Sequence, residues 1–118
     1  MVGVVDDDVS VRKGLARLLR SASFAAITFA SGEECLVAPG LGRIACLLVD
    51  INLGGMSGFE LLHGLNQSGR RIPVILITAD HESVSRDALR AAGSPPLLRK
   101  PFEANALLAS INHLLGLP

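Results

Sequence analysis

Apolar runs of strand length alternate with amphipathic helical stretches five times along this chain, and the connections between them are short. Strands joined in this way must lie parallel, because each return to the same edge of a sheet needs a crossover helix. The expected architecture is therefore an α/β, doubly wound parallel sheet. With 118 residues the chain is long enough for a real core and too short for a second folded unit of ordinary size, so residues 1–118 are expected to form one domain whose output passes through a partner.

The alternation reads as follows. Val2 to Val5 is a short apolar run that stops at Asp6-Asp7-Asp8. From Val11 onward Leu15, Leu18, Leu19 and Ala22 fall at helical spacing, with Arg12, Lys13, Arg17 and Arg20 on the other face. Residues 24–29 make a second strand, and Ser31-Gly32-Glu33-Glu34 has capping-box spacing and opens a short helix ended by Pro39-Gly40. A third strand, 44–50, ends abruptly on Asp50 and is followed by two glycines and the helix start Ser57 to Glu60. That helix is expected to reach about Asn66, with Phe59, Leu62 and Leu65 on one side. Residues 73–78 are the most strand-like run, 82–92 a helix closed by Gly93, and 95–100 a weaker strand whose prolines suit a sheet edge. A last helix, 103–115, carries Leu107, Leu108, Ile111, Leu114 and Leu115.

In open parallel sheets, function gathers beyond the carboxyl ends of the strands. Four strands here end on residues that can do chemistry: Asp6 and Asp7, Asp50, Thr78 and Lys100. Carboxylates converging on one mouth repel each other, by about 4 kcal/mol per pair at ~4 Å in an effective dielectric near 20. A divalent cation reverses that sign, and two Asp with water suit Mg2+. Lys100 and the Thr78 hydroxyl then form a kit for holding a phosphoryl group in line with a nucleophile, for which Asp50 is the natural candidate. The sequence has no P-loop, so a nucleotide is not the implied phosphate carrier.

Taken together, Val4-Val5-Asp6-Asp7-Asp8, Asp50 with Met56-Ser57-Gly58, Ile77-Thr78-Ala79 and Lys100-Pro101-Phe102 resemble the receiver domain of two-component response regulators, in order and in spacing. The resemblance covers essentially the whole chain. Val11-Arg12-Lys13 and Leu98-Arg99-Lys100-Pro101-Phe102 make it most similar to FixJ-like receivers within the CheY-like superfamily. It implies a single (βα)5 flavodoxin-like fold with strand order 2-1-3-4-5.

The resemblance further implies that Asp50 takes a phosphoryl group from a histidine kinase or a phosphotransfer protein, and that the domain then switches binding to a downstream protein target. Mg2+ would be held by Asp7, Asp50 and the backbone carbonyl of Asn52, with Asp6 acting through metal-bound water. Thr78 and Lys100 would bind the phosphoryl oxygens. Asn52 and Asp80 match positions that tune hydrolysis of the acyl phosphate, and the Lys100-Pro101 bond is expected to be cis. Such a chain is a phosphoacceptor signalling domain rather than an enzyme, promoting its own phosphorylation and slow autodephosphorylation. Two positions depart from the pattern: Gly54 stands where a proline is frequent, and Leu97 where most receivers carry Tyr or Phe.

Two other readings remain at this stage. Val4 to Val9 fits the nucleophile motif of haloacid-dehalogenase-type phosphohydrolases, but only Glu103 follows Lys100 where those enzymes place a further acidic pair, and Asp50 is left idle. A receiver fold that signals by binding alone, without phosphorylation, is the other. With 11 basic and 11 acidic side chains, nothing in the charge points to nucleic acid or an anionic membrane. No apolar run approaches the ~18 residues of a membrane span and no signal peptide precedes Asp6, so a cytoplasmic protein is expected. Cys35 and Cys46 read as reduced, buried thiols, and Phe24, Phe29, Phe59 and Phe102 as core. His63, His81 and His113 read as histidines without a ligand, and a phosphorylation-dependent homodimer is left open.

Overall fold

Every residue of the central strand, β3 (Cys46–Asp50), is buried, and the sheet is built outward from it. The computed structural model describes residues 1–80 and 84–117. β1 (Val2–Val5) and β4 (Val74–Thr78) flank β3 in parallel, while β2 (Ala26–Phe29) and β5 (Leu97–Arg99) form the edges. The order β2-β1-β3-β4-β5 is the flavodoxin-like order expected. β1, β3 and β4 are buried throughout, and β3 and β4 are apolar up to their last residues, Asp50 and Thr78, because both of their faces are covered, whereas the edge strands are mostly half-buried.

The two-residue period of the strands divides the core into two layers. Leu47, Val49 and Leu76 point to one face, where they meet Leu61, Leu62 and Leu65 of α3 (Gly58–Gln67) and Cys35 of α2 (Gly32–Leu36). Val2, Val4, Leu48, Ile75 and Ile77 point to the other, against Leu15 and Leu19 of α1 (Val9–Ser21) and Leu107 and Ile111 of α5 (Ala104–Leu114). The short α4 (Arg86–Ala91) has no fully buried residue; its Leu89 packs half-buried against the first layer. Phe29 is fully in the core, and Phe24, Phe59 and Phe102 pack partly buried against it.

Element boundaries differ from the sequence expectations mainly where caps and short turns decide them. α1 begins at Val9 rather than Val11, because the Asp8 side chain accepts the N–H groups of Ser10 and Val11 and so closes the first turn. The second and third strands start two residues later than expected, at Ala26 and Cys46, and a 3-10 turn at Leu41–Arg43 precedes the third. Leu61, unnamed in the sequence reading of its helix, is fully buried there. The helix expected over 82–92 is regular only from Arg86, capped by Ser85; residues 81–83 lie outside the described residues, so the expected start at Glu82 and His81 do too.

The helix starts expected at Ser31 and Ser57 both place their serine as N-cap. Around Ser57 and Glu60 the exchange is reciprocal. At Ser31 the hydroxyl accepts from Glu34 N–H, but the Glu34 carboxylate reaches back to the N–H of Ala30 instead of Ser31.

Candidate functional site

Register brings the acids together. Val5 pairs with Val49, so the next residues along the two strands, Asp6 and Asp50, emerge side by side at the carboxyl edge of the sheet. Both are almost completely buried, with 2% and 8% of their surface exposed. Thr78 ends β4 one residue past the partner of Asp50 and is fully buried. Lys100 follows β5, and its own N–H donates to the Thr78 carbonyl at 2.7 Å, which fixes the lysine backbone beside that strand end.

From there the Lys100 side chain crosses the mouth. Its Nζ donates to Asp50 Oδ2 at 2.8 Å and to Asp6 Oδ2 at 3.4 Å. The remaining carboxylate oxygens take main-chain donors: Asp50 Oδ1 accepts the N–H of Asn52 at 2.8 Å, and Asp6 Oδ1 accepts the N–H of Asp8 at 2.9 Å. Burial raises the Asp6 carboxyl above its ordinary value, and the charge of Asp50 pushes the same way; the Asp8 N–H and Lys100 oppose but do not cancel this. Burial pulls Lys100 down, yet its hydrogen bond to Asp50 and the charges of both acids prevail and hold it above the ordinary lysine value.

The other expected site residues are placed around this triad rather than in it. Asp7 is exposed, and its Oδ2 accepts the N–H of Gly54 at 3.2 Å. The Thr78 hydroxyl turns into its own loop, accepting from Asp80 N–H at 3.1 Å and donating to the Asp80 carbonyl at 3.2 Å. Asn52 and Asp80 are exposed at the rim. Leu97 lies half-buried in the first core layer, with Val84, Leu89 and Ala92. The Lys100-Pro101 bond is cis, as expected.

Close packing fixes the loop after Asp50. A Cβ on Gly58 would stand 2.9 Å from both the Asp50 carbonyl oxygen and the Ile51 Cα, so α3 starts directly against the end of β3 only because residue 58 is glycine. Two contacts were not legible in advance. Arg12 donates to the Asp6 carbonyl at 2.7 Å, and nothing in the chain distinguishes it from the other cations of α1. The Gly54 contact to Asp7 spans 47 residues, and only the unusual glycine marked its position.

Away from the mouth, Cys35 and Cys46 are free and buried as expected, and burial pushes both thiols up to about 11, with the Glu34 charge adding at Cys35. His63 and His113 are exposed. Among the described residues no helix is long and apolar enough to cross a membrane.

The donor chemistry suits Mg2+. Two buried carboxylates, Asp6 and Asp50, share one ammonium group, so negative charge is in excess at a desolvated mouth. Among the described residues no three carboxylate, imidazole or thiolate groups already stand together as a closed metal cage. Mg2+ takes one or two carboxylates and keeps several waters, so it does not require a complete cage of protein ligands.

A family model, the response regulator receiver domain, matches residues 2–112. The chain belongs to that family. A receiver domain is the signalling domain of two-component systems; members interact with histidine kinases and downstream effector domains, and typically bind Mg2+ at the acidic pocket. Membership removes the phosphohydrolase reading. The likeness to FixJ is direct: the receiver is 34% identical over 115 residues to the transcriptional regulatory protein FixJ of Azorhizobium caulinodans, covering 98% of this chain and 54% of that protein. The crystal structure of FixJ-N superposes with a TM-score of 0.86 at 31% identity, over 98% of this chain and 92% of the other. A response regulator receiver protein from Burkholderia phymatum gives 0.83 at 38%, over 99% and 95%. The chain spans about half the length of the first curated relatives it matches.

Proposed function

We propose that residues 1–118 act as one receiver unit in the cytoplasm. Asp50 accepts a phosphoryl group from a histidine kinase or phosphotransfer protein in a Mg2+-dependent reaction, and the modified domain changes its binding to a downstream protein. The observation that carries this reading is the setting of Asp50: a buried carboxylate at a strand end, with one oxygen on Lys100 Nζ and the other on Asn52 N–H.

Asp7, Asp50 and the Asn52 carbonyl would hold the ion, with Asp6 acting through its water. When bound, Mg2+ supplies the positive charge that lets an anionic phosphoryl group approach three acids. A carboxylate oxygen of Asp50 attacks phosphorus; the new O–P bond forms as the bond to the donor atom breaks, and that electron pair leaves with the donor. Lys100 exchanges its 2.8 Å contact with Asp50 for a phosphoryl oxygen. Thr78 leaves its Asp80 contacts and turns its hydroxyl toward the same group.

That rotation vacates space under β4, and Leu97, already half-buried against the first core layer, repacks in response. A leucine transmits this as a change in packing, without the phenol of a tyrosine. Asn52 and Asp80, exposed at the rim, govern the access of water and hence the lifetime of the acyl phosphate. The domain so assists its own phosphorylation and slow dephosphorylation, and turns over no separate substrate.

Beryllofluoride, a mimic of the phosphoryl group, tests the arrangement by NMR in the presence of Mg2+. The amide signals of Asp50, Thr78, Leu97 and Lys100 are expected to move together in the wild type and to stay in place in Asp50→Asn. Unmoved signals in a wild type that binds Mg2+ would favour a domain that signals without phosphorylation.

A further inference from the structure

Asp7 differs from the other two acids of the mouth in being exposed, so packing does not hold its carboxylate. What holds it is the N–H of Gly54, 3.2 Å from Oδ2 and contributed by the loop after β3. This bond ties the β1–α1 loop to the β3–α3 loop across the mouth. It occupies one carboxylate oxygen and leaves Oδ1 to a further ligand.

Glycine's special freedom is not in use at position 54. Its φ lies outside the left-handed region, and an added Cβ would meet Asp7 Oδ2 at 3.5 Å, an ordinary contact. The position therefore accepts a side chain, while its bond to Asp7 needs a main-chain N–H, which proline lacks. A carboxylate held in place before a cation arrives loses less rotamer freedom on binding it.

We propose that the main-chain N–H of Gly54 is a positioning group that presets Asp7 for a divalent cation. This rests on the reading of the mouth as a Mg2+ site. In a receiver with proline at this position the corresponding Asp must be held otherwise or be ordered by the metal itself.

The test compares wild type, Gly54→Ala, which keeps the N–H, and Gly54→Pro, which removes it, each also combined with Asp7→Ala, which removes the acceptor. In the metal-free wild type the Gly54 amide signal is expected to shift when Asp7 is replaced by Ala. Titrated with Mg2+, Gly54→Ala is expected to bind as wild type does and Gly54→Pro about three- to tenfold more weakly, the range for loss of one hydrogen bond. Once Asp7→Ala is present, adding Gly54→Pro should make no further difference to the affinity.

Equal affinity of all three proteins overturns the inference, as does a proline effect that persists with Asp7→Ala, which would belong to loop rigidity instead. Tighter binding by Gly54→Pro also overturns it, since the N–H would then compete with the metal. A wild type that binds no Mg2+ removes the reading of the site, and the inference with it. The Gly54 amide response then shows whether the hydrogen bond exists without a metal role.

Discussion

Lys100 Nζ lies 2.8 Å from Asp50 Oδ2 and 3.4 Å from Asp6 Oδ2, so one ammonium group serves two buried carboxylates that neighbour each other. The pairing is a structural tie as much as a chemical one, since it joins the loop after β5 to the ends of β1 and β3.

Removing that group leaves both acids without a cation. Breaking a buried pair costs about 3–5 kcal/mol, but the Lys100 side chain is 27% exposed and solvent screens part of the loss. In urea unfolding at pH 7 without divalent ions, Lys100→Met is expected to lose about 1–3 kcal/mol. An unchanged midpoint would mean that solvent already satisfies the acids.

Metal binding should report as stability. An ion that binds only the folded chain adds about 2.7 kcal/mol at a hundredfold excess over its Kd. Mg2+ is accordingly expected to raise the thermal midpoint of the wild type, and Asp7→Asn or Asp50→Asn should remove most of that rise. A rise of equal size in both variants would place the ion elsewhere.

Two glycines should respond in opposite directions to the same substitution. Gly58→Ala drives a Cβ into the backbone of Asp50 and Ile51, and overpacking of this kind costs about 1–3 kcal/mol. Gly14 sits in α1 with open space around its missing Cβ, so Gly14→Ala should stabilise by about 0.5–1 kcal/mol. Denaturant midpoints of the two variants decide this; equal shifts would contradict the packing described at the end of β3.

The thiols give a pH-dependent readout remote from the site. Burial raises Cys35 and Cys46 from 9.0 to about 11 in the folded protein, so it retains protons that the unfolded chain releases. Their contribution to stability is full below about pH 9 and is lost as pH rises toward 11. At pH 8 the folded thiolate fraction is about a hundredfold below that of the unfolded chain, so alkylation by iodoacetamide should be slower by at least that factor. Rapid alkylation of folded protein would contradict the burial of both side chains.

Much of this was legible because it is written in local pattern. The apolar runs around Leu48 and Ile75 and the helical spacing of Leu15 and Leu19 each carry their own period, and short connections left a parallel sheet as the only outcome. Asp6, Asp50, Thr78 and Lys100 could be placed at one edge for the same reason: each closes a strand, and parallel strands end together.

What was hidden depends on contacts distant in sequence or on atoms rather than residue types. The start of α1 turned on one Asp8 side chain choosing the N–H groups of Ser10 and Val11. The Thr78 hydroxyl faces Asp80, not Asp50, which is a matter of rotamer. The bond from Gly54 to Asp7 uses a main-chain N–H, a group almost every residue has, so no side chain could announce it.

The central claim is that Asp50 accepts a phosphoryl group. Intact mass measured after incubation with Mg2+ and acetyl phosphate, on wild type and Asp50→Asn, tests it most directly. The account expects one added phosphoryl group in the wild type, dependent on Mg2+ and absent from the variant. No adduct on a wild type shown separately to bind Mg2+, or an adduct that survives Asp50→Asn, would contradict it.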